Sequence, residues 1–379
     1  MKLLHLSDLH LGKRLNEFSM IEDQTYILQQ IVGIARQQQP DGIILAGDIY
    51  DKAVPSAEAV QLFDRFLDQL AELNQQIFVI SGNHDSAERI AFGGSLMKKS
   101  GVYMSPVYDG EIKPIILTDG HGEVNFYLLP FIKPAHVKRF FEEEEIGSYS
   151  DALQTVVDAM NIDTTKRNIL VTHQFVTGAI RSDSEEVSVG GSDNVDAGIF
   201  DAFDYVALGH IHRPQNVSRP EVRYCGTPLK YSFSEVSHEK SVTVVTLGAK
   251  GAVDIETIPL VPLRDLCEIK GTYAEVTAKP FYEDTPYRDA YMHITLTDEE
   301  DIPDAMGKLR VIYRNLMKLD YDNRRTRTNQ LIEGTDTEHQ QSPVELLDEF
   351  YEKQNNQPMG EEQRSFVLSM IEEIWEEGR

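Results

Sequence analysis

A chain of 379 residues with 41% hydrophobic and 26% charged side chains exceeds what one hydrophobic core usually holds, so a main domain with smaller appendages is expected. The formal net charge of -26 excludes binding of nucleic acid over the whole surface, because affinity for phosphate comes from Lys and Arg; either the substrate is no polynucleotide, or a local basic path and a partner supply the attraction. No apolar run reaches the ~18 residues of a membrane span, and two cysteines, Cys225 and Cys267, without a CxxC motif, fit a reduced cytoplasm.

The first half of the chain alternates strand and helix. Leu3-Leu4-His5-Leu6 reads as a short buried strand that meets Ser7-Asp8 too soon to be a signal-peptide core. Residues 21 to 35 then carry Ile21, Ile27, Leu28, Ile31, Ile34 and Ala35 at helical spacing. Ile43-Ile44-Leu45-Ala46 is a second strand, and the helix after Pro55-Ser56 is expected to bury Val60, Phe63, Leu67 and Leu70. A third strand, Ile77-Phe78-Val79-Ile80, turns at Ser81-Gly82 into a helix predicted over 87 to 99. Continuous apolar strands between helices imply an α/β fold with covered sheets.

Strands follow at 112 to 117 and 124 to 129, then two helical stretches within 134 to 161, then the buried strands Asn168–Val171 and Tyr205–Leu208. Residues 215 to 262 read as a β meander, with Val242–Val245 the clearest strand. The expected architecture over 1–262 is therefore a two-layered β-sheet core flanked by helices. Residues 263–322, with the alternating strand Tyr291–Leu296, make a small α+β cap domain, and the polar run 323–341 makes a linker. In 342–379, Ser342-Pro343-Val344-Glu345 is a capping box opening a pair of amphipathic helices. Leu347 and Phe350, then Phe366, Met370, Ile374 and Trp375, form apolar faces, while residues 341–379 hold ten acidic and three basic residues. Such a face either docks on a partner or packs back on the cap.

Five strand ends carry the chemistry: Asp8-Leu9-His10, Gly47-Asp48-Ile49-Tyr50-Asp51, Gly82-Asn83-His84-Asp85, His173, and Gly209-His210-Ile211-His212. Carboxyl ends of strands in a wound sheet converge on one edge. Alternate residues of an extended segment point the same way, so Asp8 with His10, and His210 with His212, can grip one object. Carboxylates, an amide and several imidazoles suit two divalent transition metals sharing a carboxylate. Such a pair, roughly 3.5–4 Å apart, clamps phosphoryl oxygens during in-line displacement. One Asp or His at a strand end is ordinarily a turn or core residue; five together carry the reading.

The ordered series DxH, GDxxD, GNHD, a lone His after a strand and GHxH resembles the calcineurin-like metallophosphoesterases. The longer stretches Leu6-Ser7-Asp8-Leu9-His10-Leu11-Gly12, Ala46-Gly47-Asp48-Ile49-Tyr50-Asp51, Ala207-Leu208-Gly209-His210-Ile211-His212 and Tyr224-Cys225-Gly226-Thr227-Pro228 look like the SbcD-type nuclease subunits of bacterial SbcCD complexes. That resemblance covers about residues 1 to 260 and extends in layout to the cap and tail. It implies that Asp8, His10, Asp48 and His212 hold one metal, and Asp48, Asn83, His173 and His210 the other. It also implies manganese as the metal, with His84 facing the scissile phosphate to stabilise its charge and assist the leaving group. By the same resemblance the substrate is double-stranded DNA, cut as exonuclease and as single-strand and hairpin endonuclease in repair and recombination. The tail helices would bind a coiled-coil SbcC-type ATPase, and the nuclease would be a homodimer within a heterotetramer. No GxxxxGK[ST] occurs, so any ATP dependence comes from the partner.

Archaeal and eukaryotic counterparts have a His three residues after the bridging Asp. Here Asp51 stands there, and is expected either to orient His84 or to cap a turn. Lys13, Arg14 and Arg213, with Arg219, Arg223 and Lys230, line a DNA path or are ordinary surface charges. The competing function is a stand-alone dinuclear phosphoesterase acting on a nucleotide, cyclic nucleotide or phosphoprotein. Net charge favours that alternative; the cap, linker and tail favour the nuclease.

Overall fold

The computed structural model describes residues 1–185 and 193–324, with Gly360 and Arg364. The tail helices expected over 342–379, with Leu347, Phe350, Phe366, Met370, Ile374 and Trp375, lie outside the described residues, as does the linker beyond 324.

Four parallel strands begin the first sheet: β1 (Lys2–Leu6), β2 (Gly42–Ala46), β3 (Gln76–Ile80) and β4 (Val102–Met104). The second sheet holds β5 (Ile115–Asp119), β6 (Gly122–Leu129), β7 (Arg167–His173), β8 (Tyr205–Gly209), β9 (Gln215–Val217) and β10 (Arg219–Tyr224), in the order β9-β10-β8-β7-β6-β5. The chain then returns: β11 (Ser241–Leu247) pairs antiparallel with β1, and β12 (Val253–Pro259) with β11. The stretch expected as one meander is thus divided. β9 and β10 extend the second sheet, while β11 and β12 complete the first, because the apolar faces of Val242, Val244 and Val245 are buried beside β1.

Alternation along each strand explains why the strands read as continuous apolar runs. Ile44, Ala46, Phe78 and Ile80 face the second sheet, with the Phe78 and Phe126 rings stacked 4.3 Å apart. Ile43, Leu45, Ile77 and Val79 face outward onto helices α1 (Ile21–Gln38) and α2 (Ala57–Ala71). The second sheet is covered likewise by α3 (Tyr149–Ala159) through Leu153, Val156 and Val157. Burial on both faces removes the polar face that would break the run.

Two local expectations need correction. Helix α2 begins at the Ser56 cap as expected, but it buries Ala59, Leu62, Phe63, Phe66 and Leu70, and leaves Val60 44% exposed. The helix predicted over 87 to 99 is broken into Ala87–Ala91, Gly94–Met97 and the turn Lys98–Ser100, because Gly93 takes a φ of 74° in the left-handed region.

Beyond residue 262 come β13 (Leu266–Gly271), β14 (Tyr291–Leu296) and β15 (Asn315–Tyr321), a three-stranded sheet. Arg264 ties its start to α1 through Asp23 at 2.8 Å and Glu22 at 2.6 Å. By contact the chain forms one compact unit from Met1–Thr295 with Pro303–Asp320 and another from Leu296–Ile302 with Tyr321–Arg379.

Candidate metal centre

Parallel strands of both sheets end at one edge. β1, β2 and β3 deliver Asp8, His10, Asp48, Asn83 and His84; β7 and β8 deliver His173, His210 and His212. The main chain here is unusual. Asp8, His10, Asp48 and His210 all have positive φ, at 54°, 44°, 48° and 101°, conformations that non-glycine residues rarely adopt and that cluster at functional sites. They are held by neighbouring loops: Asp8 N donates to Gly47 O at 3.0 Å and His10 N to Asp48 O at 2.9 Å. Glycine is required where the loops touch. A Cβ at Gly82 would collide with the Asp48 carboxylate, and one at Gly209 with the Ala46 carbonyl.

The side chains converge. His10 Nε2 lies 3.1 Å from His212 Nε2, and the Asn83 amide oxygen is 3.0 Å from His173 Nε2 and 2.9 Å from His210 Nδ1. Asp48 Oδ2 stands 3.3 Å from His173 Nε2 and 3.7 Å from His10 Nε2, and so touches both groups. Ligand atoms of Asp8, His10 and His212, and of Asp8, Asp48 and His173, each gather within 4.8 Å.

The donor set fits cations. His173 Nδ1 donates to the Ala46 carbonyl at 2.8 Å, which leaves Nε2 with its lone pair toward the centre. Two imidazole nitrogens that face each other at 3.1 Å, as those of His10 and His212 do, share a proton or turn both lone pairs to a cation. Burial pushes the Asp8 carboxyl up to about 6 and holds His10 and His210 well below the usual imidazole range. Burial also works against a charged His173, yet the Asp48 and Asp8 carboxylates raise it to about 9. The same surroundings, against the effect of burial, hold Asp48 below the usual carboxylate range through the imidazoles of His173, His10 and His84. Both shifts favour positive charge between these carboxylates.

Several further residues support the centre without a role that the motifs assign. Asp85, to which the motif reading gives no role, is 9% exposed and accepts amides from Gly82 at 2.9 Å, Ile49 at 3.0 Å and Tyr50 at 2.9 Å, joining the second and third motif loops. His212 Nδ1 donates to Ser184 Oγ at 2.7 Å, and that hydroxyl donates to Glu235 Oε1 at 2.6 Å. Glu235 is fully buried and pairs with Lys240 at 2.6 Å, whose ammonium also bonds Thr227 Oγ1 and the His212 carbonyl. The Tyr231 hydroxyl donates to the Leu9 carbonyl at 2.7 Å, with its ring against His10 and His212. For Tyr231, Glu235 and Lys240, nearness in sequence to Tyr224–Pro228 was the one available signal. Cys225 is packed against Ser7 Oγ at 3.1 Å with its thiol pushed up to about 12 by burial, a packing role; Cys267 is half-buried.

His84 is half-buried, and its amide donates to Asp48 Oδ1 at 2.9 Å. Asp51 does reach it, but by a different atom from the one expected. His84 Nδ1 donates to the Asp51 main-chain carbonyl at 3.1 Å, whereas the Asp51 carboxylate pairs with Lys13 at 2.8 Å. The Asp51 side chain therefore does not orient His84, because the turn aims the carbonyl inward and the carboxylate toward Lys13. Lys13 also lies over the Tyr231 ring at 5.6 Å. Arg14 is exposed and donates to the Glu17 carbonyl, and Arg213 is exposed. Arg219, Arg223 and Lys230 bond within the fold, to the Phe203 carbonyl, Asn216 and Asp265 respectively.

The calcineurin-like phosphoesterase family model matches residues 1–214. A second model, named for the SbcD C-terminus and described as the type 5 capsule protein repressor C-terminal domain, matches residues 262–355. Along its whole length the chain is similar to the SbcD component of the nuclease SbcCD of Staphylococcus saprophyticus, 33% identical with 100% of both chains covered. The SbcD component of the Staphylococcus epidermidis nuclease SbcCD is also 33% identical, with 98% of each chain covered.

Proposed function

The chain belongs to the SbcD-type nuclease subunits of the calcineurin-like phosphoesterase family, and on that premise we propose that it is a metal-dependent phosphodiesterase that cleaves DNA together with an SbcC-type ATPase. The observation that carries the proposal is the convergence of both sheets on Asp48, whose carboxylate meets His173 and His10 while accepting the His84 amide.

In this reading Asp8, His10, Asp48 and His212 hold one divalent ion, and Asp48, Asn83, His173 and His210 the other, manganese being our choice of metal. Bound there, such ions neutralise phosphoryl oxygens and supply a nucleophile at neutral pH. The protein's own contribution lies in positioning. The Ala46 carbonyl and the Ser184–Glu235 relay fix the proton of His173 and His212 on Nδ1, so that Nε2 of each ring faces inward. His84, with its Nδ1 proton committed to the Asp51 carbonyl, has Nε2 left for the substrate; protonated, it donates to the leaving oxygen.

Double-stranded DNA as substrate, exonuclease and single-strand and hairpin endonuclease action, a homodimer in the assembly and a cytoplasmic setting complete the proposal. The acidic tail would suit a basic groove on the ATPase. Among the described residues no helix is long and apolar enough to cross a membrane. The test is cleavage of linear and hairpin duplexes by the complex of this chain and its ATPase with Mn2+. His84→Ala should lower the rate by about 10²- to 10⁴-fold while metal content stays at wild-type level. Intact DNA alongside hydrolysis of a small phosphodiester would turn the reading to the stand-alone enzyme, which the net charge of -26 favours.

A further inference from the structure

Next to Asn83 and His210, on the second-sheet side of the centre, a cavity of about 100 Å³ opens between Phe131, Tyr149 and Phe175. All three rings are half-buried. Phe131 and Tyr149 have centroids 6.5 Å apart, Phe131 meets His173 edge-on at 6.3 Å, and Phe175 meets His210 at 6.5 Å. The Arg181 guanidinium lies 3.4 Å from the Phe175 centroid and fixes that ring.

Asp193 shares the lining. It is 7% exposed, its Oδ2 accepts from Arg181 at 2.7 Å, and its Oδ1 is buried without a hydrogen-bond partner among the described residues. A buried acceptor left unmet is costly, which points to a ligand that brings an N–H. The three rings around the cavity suit a planar base more than the sugar–phosphate backbone. Lys133 is exposed at the rim, 5.9 Å from the Phe131 centroid, where a neighbouring phosphate would pass.

We propose that this cavity receives an unpaired nucleobase adjoining the scissile phosphate, stacked among Phe131, Tyr149 and Phe175 with a base N–H turned toward the Asp193 carboxylate. The inference rests on the nuclease reading above. Enzymes that take a base out of the stack read its Watson–Crick edge by hydrogen bonds and hold its faces with aromatic side chains. In a paired base that edge is already engaged, so the pocket selects frayed ends, hairpin loops and single strands next to the cut.

The test uses the complex of this chain and its ATPase with Mn2+ and single-stranded oligonucleotides whose cleavage positions have been mapped. One nucleoside at a time is replaced by an abasic residue, and kcat/KM is measured for each. An abasic residue on one side of the cut should lower kcat/KM by about tenfold, the range of base–aromatic stacking, and on the other side by less than about twofold. Phe175→Leu and Asp193→Asn should each shrink that tenfold ratio toward one. A merely structural role would slow intact and abasic substrates alike and leave the ratio in place, which overturns the inference. Equal cleavage of every oligonucleotide by the wild type also overturns the pocket and leaves the nuclease standing. Failure to cut any of them, with a base-free phosphodiester still hydrolysed, overturns both.

Discussion

The two sides of the metal centre are built by different means. On the side of the first sheet, Asp8, His10 and Asp48 are set by main-chain bonds between loops whose partners lie inside the motifs themselves, with Asp85 fastening three amides. On the side of the second sheet, His212 depends on Ser184 and on the buried pair Glu235 and Lys240, side chains from two distant stretches of chain. A main-chain scaffold tolerates change in its neighbours. A buried charge relay does not, because removing one member strands another. Burial works against both charges of the relay, lowering Lys240 and opposing a charged Glu235. Glu235 nonetheless stays below the usual carboxylate range through His212, whose Nδ1 also lies 3.3 Å from Glu235 Oε1, and through the Lys240 charge.

Asp48 belongs to both sides, and its loss should be the largest effect. Asp48→Asn is expected to lower phosphodiester turnover by about a thousandfold or more and to reduce bound metal, read by elemental analysis. Next comes the relay. Lys240→Met should destabilise the fold by about 3–5 kcal/mol in urea unfolding, and adding Glu235→Gln should recover much of that; a loss under about 1 kcal/mol would erase the contrast between the two sides. On the main-chain side, Asp85→Asn keeps one acceptor oxygen for three donors and should cost about 1–3 kcal/mol by the same measurement.

A smaller effect links the sheets. His5 on β1 bonds the Tyr205 hydroxyl on β8 at 2.8 Å, and burial lowers its imidazole to about 3. The unfolded chain takes up a proton near pH 6.5 that the folded chain refuses, so stability is whole above that pH and falls as pH drops toward 3. The slope from this group approaches about 1.4 kcal/mol per pH unit, and His5→Gln should remove it when urea midpoints at pH 7 and pH 5 are compared with wild type. Least of all, Asp51→Asn should alter turnover by under about threefold, since the carbonyl that holds His84 is untouched and a partly exposed Lys13 pair is worth little. A loss of tenfold or more would return the carboxylate to the mechanism.

The seven proposed ligands and His84 were legible because each sits at the end of an apolar strand or within four residues of it. Glu235 and Lys240 were not, since Ser234-Glu235-Val236-Ser237-His238-Glu239-Lys240 has the polarity of a surface loop. Asp193 and Phe175 gave no pattern either; one is an isolated acid, the other a lone aromatic after His173. The helix predicted at 87 to 99 failed at Gly93, where left-handed backbone outweighed the apolar spacing.

By itself, the amino-acid order determined the layered α/β core and the convergence of five strand ends, because strand periodicity and turn chemistry are local properties of the chain. Tertiary structure alone decided that β11 and β12 join the first sheet while β9 and β10 join the second, that Asp51 offers its carbonyl and not its carboxylate, and that a buried Glu–Lys pair stands behind His212. Those outcomes depend on which distant surfaces exclude water from one another, and no short stretch of sequence records that.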